Sequence, residues 1–532
     1  MGILARRRNP KLSNERKGLG GVGEGGYIAE FITFILRRLL PDIIKYNIKI
    51  VTNAGGLDPV ACKLAIEKVV KEIGVEEGKV VVAAITGDDL LSQEYGGKGD
   101  VREFSHIHGN KEDAEFFPDD EKEIISLNAY LGAIPIANAL DSGATLVVTG
   151  RCVDSALVLG PLIHEFRWDP SRDWDKLASG SLAGHIVECG CQATGGNFTD
   201  WEQIAFTPGG GWSNMGYPIA ECFSDGEFVI TKPKDTGGLV TPATVGEQML
   251  YETLDPGSYI LPDVILDMRN VKLKQIGENR VLVTGAKGRP PTKFLKVSGI
   301  YADGYKMTGS LVIGGVDARK KAIAVGSAIL LRVRMLLMKL KMANFRDVNI
   351  DILGAEHTYG PHARNRDTRE VVLNITVHHE DIRALKYFGM ELAPAATCMA
   401  PGVTGGVTGR PHPSPLLVHF SCLISKNEVS AMVTVGKNPS LTVFFECPTL
   451  DGSEIPPPLQ YGEGHEKSVG DDTLVKVPLI RLAWGRSGDK GDTCNIGGGG
   501  LSSLRIDRQG KTYAQMLLSF EVGIPPEWLA KL

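Results

Sequence analysis

The sequence predicts an α/β protein: a mixed, partly parallel sheet with flanking helices, followed by a small α+β tail unit. Three observations carry that expectation. Apolar, β-branched runs alternate with helical segments over the first part of the chain, up to about Asn197. From Tyr217 to Val312 the pattern changes to shorter apolar runs separated by Gly, Pro and Asp turns. Glycine makes up 64 of 532 residues, well above the usual ~7%. With no collagen-like period, those glycines mark many tight loops.

The elements follow in order. Ile48 to Thr52 reads as a short strand, and Asn53-Ala-Gly-Gly-Leu-Asp-Pro59 as the turn after it. Asp58 suits an N-cap and Pro59 the first helical position. The helix Val60 to Ile73 places Ala61, Leu64, Ala65, Val69 and Ile73 on its apolar side. Lys79 to Ile85 is a second strand ending in Thr86-Gly-Asp-Asp89. A helix from about Glu123 to Leu140 leads to a third strand, Thr145 to Thr149, which ends in Gly150-Arg-Cys-Val-Asp154. Asp154 is placed to cap the next helix. This alternation argues for right-handed βαβ units. Their polar turns then share the carboxyl edge of a parallel sheet, where open α/β sheets bind ligands. Strands are expected at Phe228–Ile230, Val264–Leu266, Arg280–Thr284, Thr292–Tyr301 and Val371–Val377. A long helix is expected at Ala318–Met342, and Leu416–Ile424 with Val429–Val435 form a closing strand pair. Residues 1–440 form the main unit, 441–474 a linker rich in Pro, Gly and acids, and 475–532 the tail domain.

Composition excludes several classes. At 43% hydrophobic and 23% charged residues the chain is neither disordered nor fibrous. A net charge of −5, from 58 basic and 63 acidic residues, gives no case for nucleic acid. No apolar run reaches the ~18 residues of a spanning helix, so no membrane partner is expected. Nine scattered cysteines read as reduced thiols of an intracellular compartment. No nucleotide, flavin or thiamine motif is present, so no cofactor is expected. The basic start of the chain, Arg6 to Lys17, reads as a mitochondrial presequence or as a solvated face. Ala530-Lys531-Leu532 is a conservative variant of the Ser-Lys-Leu peroxisomal address. The expected location is therefore peroxisomal, otherwise cytoplasmic or mitochondrial. Exposed sheet edges point to a homo-oligomer.

Candidate chemistry sits in the loops. The turn Asn53 to Asp58 opens a helix, where free N–H groups favour a phosphate or carboxylate; it also serves as an ordinary tight βα turn. Arg151 is suited to clamp an anion in bidentate fashion or to a structural pair. Asp154 is a cap or an acid/base group. His185 and Glu188 lie on one stretch with Cys189 and Cys191. They read as an acid/base pair, as packed core groups, or, with the two thiols, as zinc ligands in a pattern that matches no standard site. His357 and His362 follow a strand, and Arg410 and His412 sit in a Gly/Pro loop. Together they read as substrate-binding residues lining a polar pocket, or as surface loops. No Gly-x-Ser-x-Gly elbow occurs.

Three motifs, Thr52-Asn-Ala-Gly-Gly-Leu-Asp-Pro59, Thr149-Gly-Arg-Cys-Val-Asp-Ser155 and Gly485-Arg-Ser-Gly-Asp-Lys-Gly-Asp492, resemble the acyclic terpene utilisation AtuA family over nearly the whole chain. The resemblance implies a mixed α/β main domain, a ferredoxin-like α+β tail, and a setting in catabolism of acyclic terpenes or branched acyl-CoA compounds. It brings no established catalytic residues. The chain departs from the family in two places. Family members usually begin with a Gly-rich first strand, where this sequence has Met1-Gly-Ile-Leu-Ala. In the tail, Cys494-Asn-Ile-Gly497 runs directly into Gly498–Arg505, where relatives carry a helical stretch. The expected function is an enzyme acting on a branched or terpenoid acyl-CoA or carboxylate by hydratase, isomerase or lyase chemistry, with His185, Glu188 and Asp154 moving protons. Two other readings remain open: a non-catalytic accessory subunit of an acyl-CoA carboxylase system, and a zinc hydrolase.

Overall fold

The computed structural model describes residues 26–91, 124–253, 255–357, 359, 363–404, 409–438 and 441–443, with short pieces at 475–478, 489–490, 493–494 and 521–524. A π-helical turn, Phe31–Leu36, runs into α1 (Arg37–Lys45). Then come β1 (Ile50–Thr52), α2 (Pro59–Glu72), β2 (Val82–Thr86), β3 (Ile124–Ala129), α3 (Ile134–Asp141), β4 (Leu146–Thr149), α4 (Ala156–Phe166) and α5 (Trp174–Glu188). Strands β1, β4 and β2 pair in parallel, in that spatial order. Their side chains alternate between two cores, as the pleat requires. Val82, Leu146 and Val148 face α1 and α2, with Leu40, Cys62 and Ile66. Ala83, Ile85 and Val147 face α3, α4 and α5, with Ala137, Leu159 and Leu182.

The second part of the chain is antiparallel. Two small sheets come from β5 (Ile219–Cys222), β6 (Phe228–Thr231), β7 (Tyr259–Ile260), β8 (Ile265–Asp267), β9 (Lys272–Gly277), β10 (Arg280–Thr284) and β11 (Lys287–Arg289), with α6 (Pro242–Met249) between β6 and β7. The 21-residue strand β12 (Phe294–Gly314) organises the rest. Its first half pairs with β3, and its second half pairs with β14 (Glu370–His379). Before β14 come α7 (Ala318–Lys339) and β13 (Asp347–Leu353). After it come α8 (Ile382–Leu392), β15 (Val403–Thr404), β16 (Ser414–Ser425), β17 (Ala431–Val435) and β18 (Leu441–Val443). Strand β16 runs along β12 from Lys306 back to Phe294. A separate core joins α7 and α8 to β12, β13 and β14 through Ile329, Val333, Leu373, Ile375 and Phe388.

Several expectations need correction. The segment expected to be one helix from Glu123 is strand β3 followed by the shorter helix α3. Gly132 and Pro135 interrupt the period, and Pro135 falls in the first turn, where its missing N–H costs nothing. The capping carboxylate of α3 is supplied from far along the chain: Asp263 accepts the Ala133 N–H at 2.9 and 3.0 Å. Helix α2 buries Cys62, Ile66 and Val69, while Leu64 is exposed. Strands β16 and β17 do not pair with each other. The chain switches sheets between them, so that β16 joins β12 and β17 lies antiparallel to β2. The switch is pinned by the buried Lys426, whose Nζ donates to the Pro262 carbonyl at 2.7 Å. In the tail, Val475–Pro478 pairs antiparallel with Glu521–Ile524, and Asp489–Lys490 with Thr493–Cys494. The remainder of the tail, nearly all of the linker and Ala530-Lys531-Leu532 lie outside the described residues.

Candidate active site at the carboxyl edge of the parallel sheet

The three βα turns do meet at one edge. At its centre is Asp88, two residues past β2 and buried. Its Oδ2 accepts the Arg151 backbone N–H at 2.7 Å and the Asn128 side-chain amide at 3.0 Å. Gly150 makes this approach possible: a Cβ there would lie 2.4 Å from Asp88 Oδ1. Burial pushes the Asp88 carboxyl up to about 7, aided by neighbouring Asp89 and opposed by the two hydrogen bonds. With Oδ2 accepting both N–H groups, Oδ1 is the oxygen left to carry the proton.

The chain next to these two donors brings up two cations and a ring. The Arg151 guanidinium lies 5.0 Å from the centroid of Tyr130, and Lys296 Nζ lies 5.7 Å from the same ring. Strand β3 delivers Asn128 and leads into Tyr130, whose N–H donates to the Lys296 carbonyl on β12 at 2.9 Å. Among the described residues no carboxylate is within ion-pair distance of either cation. The ring holds the two charges in place, and without a carboxylate partner they are available to an anion from outside.

The first turn joins the same edge. Asp58 accepts the Ala61 N–H at 2.9 Å, the cap expected of it. Gly55 is wedged so closely that a Cβ would lie 2.5 Å from the Thr149 carbonyl oxygen. Asn53 donates to Asp154 Oδ1 at 3.4 Å. The N-cap position of α4 is Ser155 rather than Asp154, so the Asp154 side chain ties two turns together.

His185 and Glu188 occupy the end of α5. His185 Nε2 lies 3.1 Å from the Met249 carbonyl oxygen, an acceptor, so this nitrogen carries the hydrogen. Its Nδ1 lies 3.5 Å from Glu188 Oε1 and is buried without a hydrogen-bond partner. The Tyr259 ring meets His185 edge-on at 5.3 Å. Burial first, then the charges of Glu188, Glu252, Asp154 and Cys189, push the Tyr259 phenol well above its ordinary range. Asp154 thus belongs to both groups of residues. Among the described residues, no set of three His, Cys, Asp or Glu side chains is arranged to hold a metal ion.

The sequence profile of the acyclic terpene utilisation family protein AtuA matches residues 5–435. The chain belongs to the AtuA family. The match ends at Val435, the last residue of β17, so it takes in every described strand from β1 to β17. Its description gives this AtuA protein a role in acyclic terpene utilisation. The chain matches no curated protein and no solved structure.

Other expected residues fall elsewhere in this AtuA fold. His412 and Arg410 are exposed just before β16, whose first residue Ser414 pairs with Lys306. Ten residues of strand separate Lys306 from Lys296, roughly 30 Å at ~3.3 Å per residue. His357 is partly exposed, with Nε2 3.4 Å from Asp351, in register with Asn374 and so with Ser310, farther still along β12. The next residue before it, Glu356, accepts the backbone N–H groups of Arg364 and Asn365 and closes that loop on itself. His362 lies outside the described residues. Sequence reasoning missed Asp88, Asn128, Tyr130 and Lys296. Thr86-Gly-Asp-Asp89 carried the one available signal, a carboxylate pair at the end of a strand in the same sheet as Arg151.

Proposed function

We propose that the protein is a catabolic enzyme acting on a branched or acyclic-terpenoid carboxylate or its CoA thioester by acid/base chemistry of the hydratase, isomerase or lyase type. The observation that carries this reading is the pair of cations, Arg151 and Lys296, on the Tyr130 ring, together with a buried acid, pushed up to about 7, that accepts the Arg151 backbone N–H. The two cations bind the carboxylate, or polarise the thioester carbonyl, and stabilise negative charge that develops there. Asp88, poised near pH 7, is suited to give and take a proton. His185 and Glu188 form the second proton-handling pair, with Nδ1 as the base, and Asn53, Asp58 and Asp154 shape the turns between them. Breakdown of branched acyl-CoA compounds fits a peroxisomal setting, and we propose that Ala530-Lys531-Leu532 is the address.

The test is thermal stability of the full chain with 3-methylbut-2-enoate, its CoA thioester, butyryl-CoA and free CoA. At 100 times Kd a single ligand adds about 2.7 kcal/mol. The branched acid and its thioester are expected to raise the melting temperature, and Arg151→Ala with Lys296→Ala to abolish the rise. A rise that survives both substitutions, or no rise with any probe, overturns the reading.

A further inference from the structure

Helix α7 lies on the outside of the β12–β14 sheet and buries Ala322, Val325, Ile329, Val333 and Leu337 against it. Its opposite face is unusual in two ways. At 100° per residue, Lys320, Ala324, Ser327, Leu331, Met335 and Met338 fall within one outward arc, and Ile323 lies at its edge. Leu331 is 59% exposed and Met338 71%. Cations stand on both shoulders of this arc, Arg334 on one side and Lys339 on the other, with the half-buried Arg319 farther round and Lys341 just beyond the helix end. The whole of Ala318–Lys339 contains no Asp or Glu. Lys320 pairs with Asp317 and Arg332 with Glu391. Among the described residues Arg319, Arg334, Lys339 and Lys341 have no acidic partner within ion-pair distance.

We propose that this face docks on an anionic lipid surface, with α7 lying in the plane of the interface. An apolar stripe flanked by cations is the pattern of interfacial helices, whose apolar side chains enter the acyl boundary while the cations meet lipid headgroups. The charges disfavour a second copy of this chain as the occupant. A twofold contact across the stripe would set Arg319 and Lys320 of one helix near Arg334 and Lys339 of the other, with no acid in either helix to offset them. Sequence reasoning set membranes aside for want of a spanning helix, and among the described residues no helix is long and apolar enough to cross a bilayer. A helix that lies in the interface needs no such length.

The test is flotation of the full chain with phosphatidylcholine vesicles, with and without phosphatidylglycerol. Binding is expected only with the anionic lipid and falls as salt rises. Arg334→Glu, Lys339→Glu and Lys341→Glu are expected to lower partition about fivefold or more each. Leu331→Gln with Met338→Gln weakens binding at every salt concentration. All these positions are exposed, and an unchanged melting temperature confirms that each variant folds. Absence of binding to either vesicle overturns the proposal, as does equal binding to both that ignores charge reversal. Dissociation of an oligomer by Leu331→Gln with Met338→Gln would assign the face to a second copy instead.

Discussion

The two ends of β12 make unlike environments from the same strand. Near Phe294 it meets β3 and the parallel sheet, and there polar groups are crowded and incompletely matched: a buried acid at Asp88, two cations on one ring, and an orphaned imidazole nitrogen nearby at His185. Near Gly314 it meets β14 and α7, and the polar groups of that region are answered locally. His378 Nε2 lies 2.6 Å from the Asp303 carbonyl oxygen, His379 Nε2 lies 3.0 Å from that of Ala343, and the Thr308 and Thr376 hydroxyls bond across the strands. Buried polar groups in a purely structural region are satisfied, since each unmade bond costs about 1–3 kcal/mol. We propose accordingly that the crowded first end is the functional one and that the second end is scaffold.

Glycine substitutions test this contrast with the largest effect. A Cβ on Gly55 would meet the Thr149 carbonyl oxygen at 2.5 Å and Pro59 Cα at 2.9 Å, both backbone atoms that cannot swing aside. Gly55→Ala is expected to cost about 3 kcal/mol or more, or to prevent folding. At Gly314 a Cβ meets nothing within 4 Å, so Gly314→Ala should stay within about 1 kcal/mol. Urea denaturation of the two variants side by side decides the point. Similar losses would mean that the close approach of the first turn to β4 is not a requirement.

Asp88 gives the next largest effect, with a defined sign. Its folded-state value of about 7 lies above the ordinary 3.8, so the folded protein holds a proton that the unfolded chain releases. The associated stability is complete below about pH 4 and is lost as pH rises through 7, by roughly 4 kcal/mol at the upper limit. Asp263, pushed by burial up to about 6, adds a loss in the same direction. Asp88→Asn keeps an acceptor for both N–H groups and carries no charge in either state. Its melting temperature should therefore match that of the parent near pH 4 and exceed it at pH 8. Parallel pH profiles for the two proteins would show that Asp88 is not an elevated acid.

A smaller effect is expected at the ring. Tyr130→Leu removes the face on which Arg151 and Lys296 rest, a contribution of about 0.5–2 kcal/mol for each contact at this exposure. Guanidinium denaturation should show a modest loss, and Tyr130→Phe should retain stability. If Tyr130→Leu were as stable as the parent, the ring would be a bystander to the two cations.

What could be read in advance follows from how each feature is encoded. The parallel strands and their turns are local: Asp58 before Pro59 announces a helix, and Thr145–Thr149 a strand. The carboxyl edge, and with it Arg151, was therefore legible. Asp88 was not, because its elevation comes from burial among groups such as Gly150 and Asn128, which are distant in sequence and leave no mark near residue 88. Lys296 reaches the site only because β12 continues beside β3, a pairing that no periodicity reveals. The two-sheet assignment of β16 and β17 was hidden for the same reason. Hydrophobic patterning tells that a segment is a strand but not which strand lies next to it.

The smallest effect belongs to the loop residues that sequence reasoning placed in a common pocket. Histidines and arginines near Gly and Pro have the composition of a binding loop, yet composition carries no distance, and β12 measures one. Arg410 and His412 lie by Lys306, ten residues of strand from Lys296, too far for any small carboxylate held at Arg151 to touch them. Arg410→Ala and His412→Ala should change stability by no more than about 0.5 kcal/mol, as exposed side chains do. They should also leave intact the ligand-induced rise in melting temperature that Arg151→Ala abolishes. If instead His412→Ala removed that rise, the ligand would sit at the Gly314 half of the strand, and the assignment of one end to chemistry and the other to scaffold would have to be reversed.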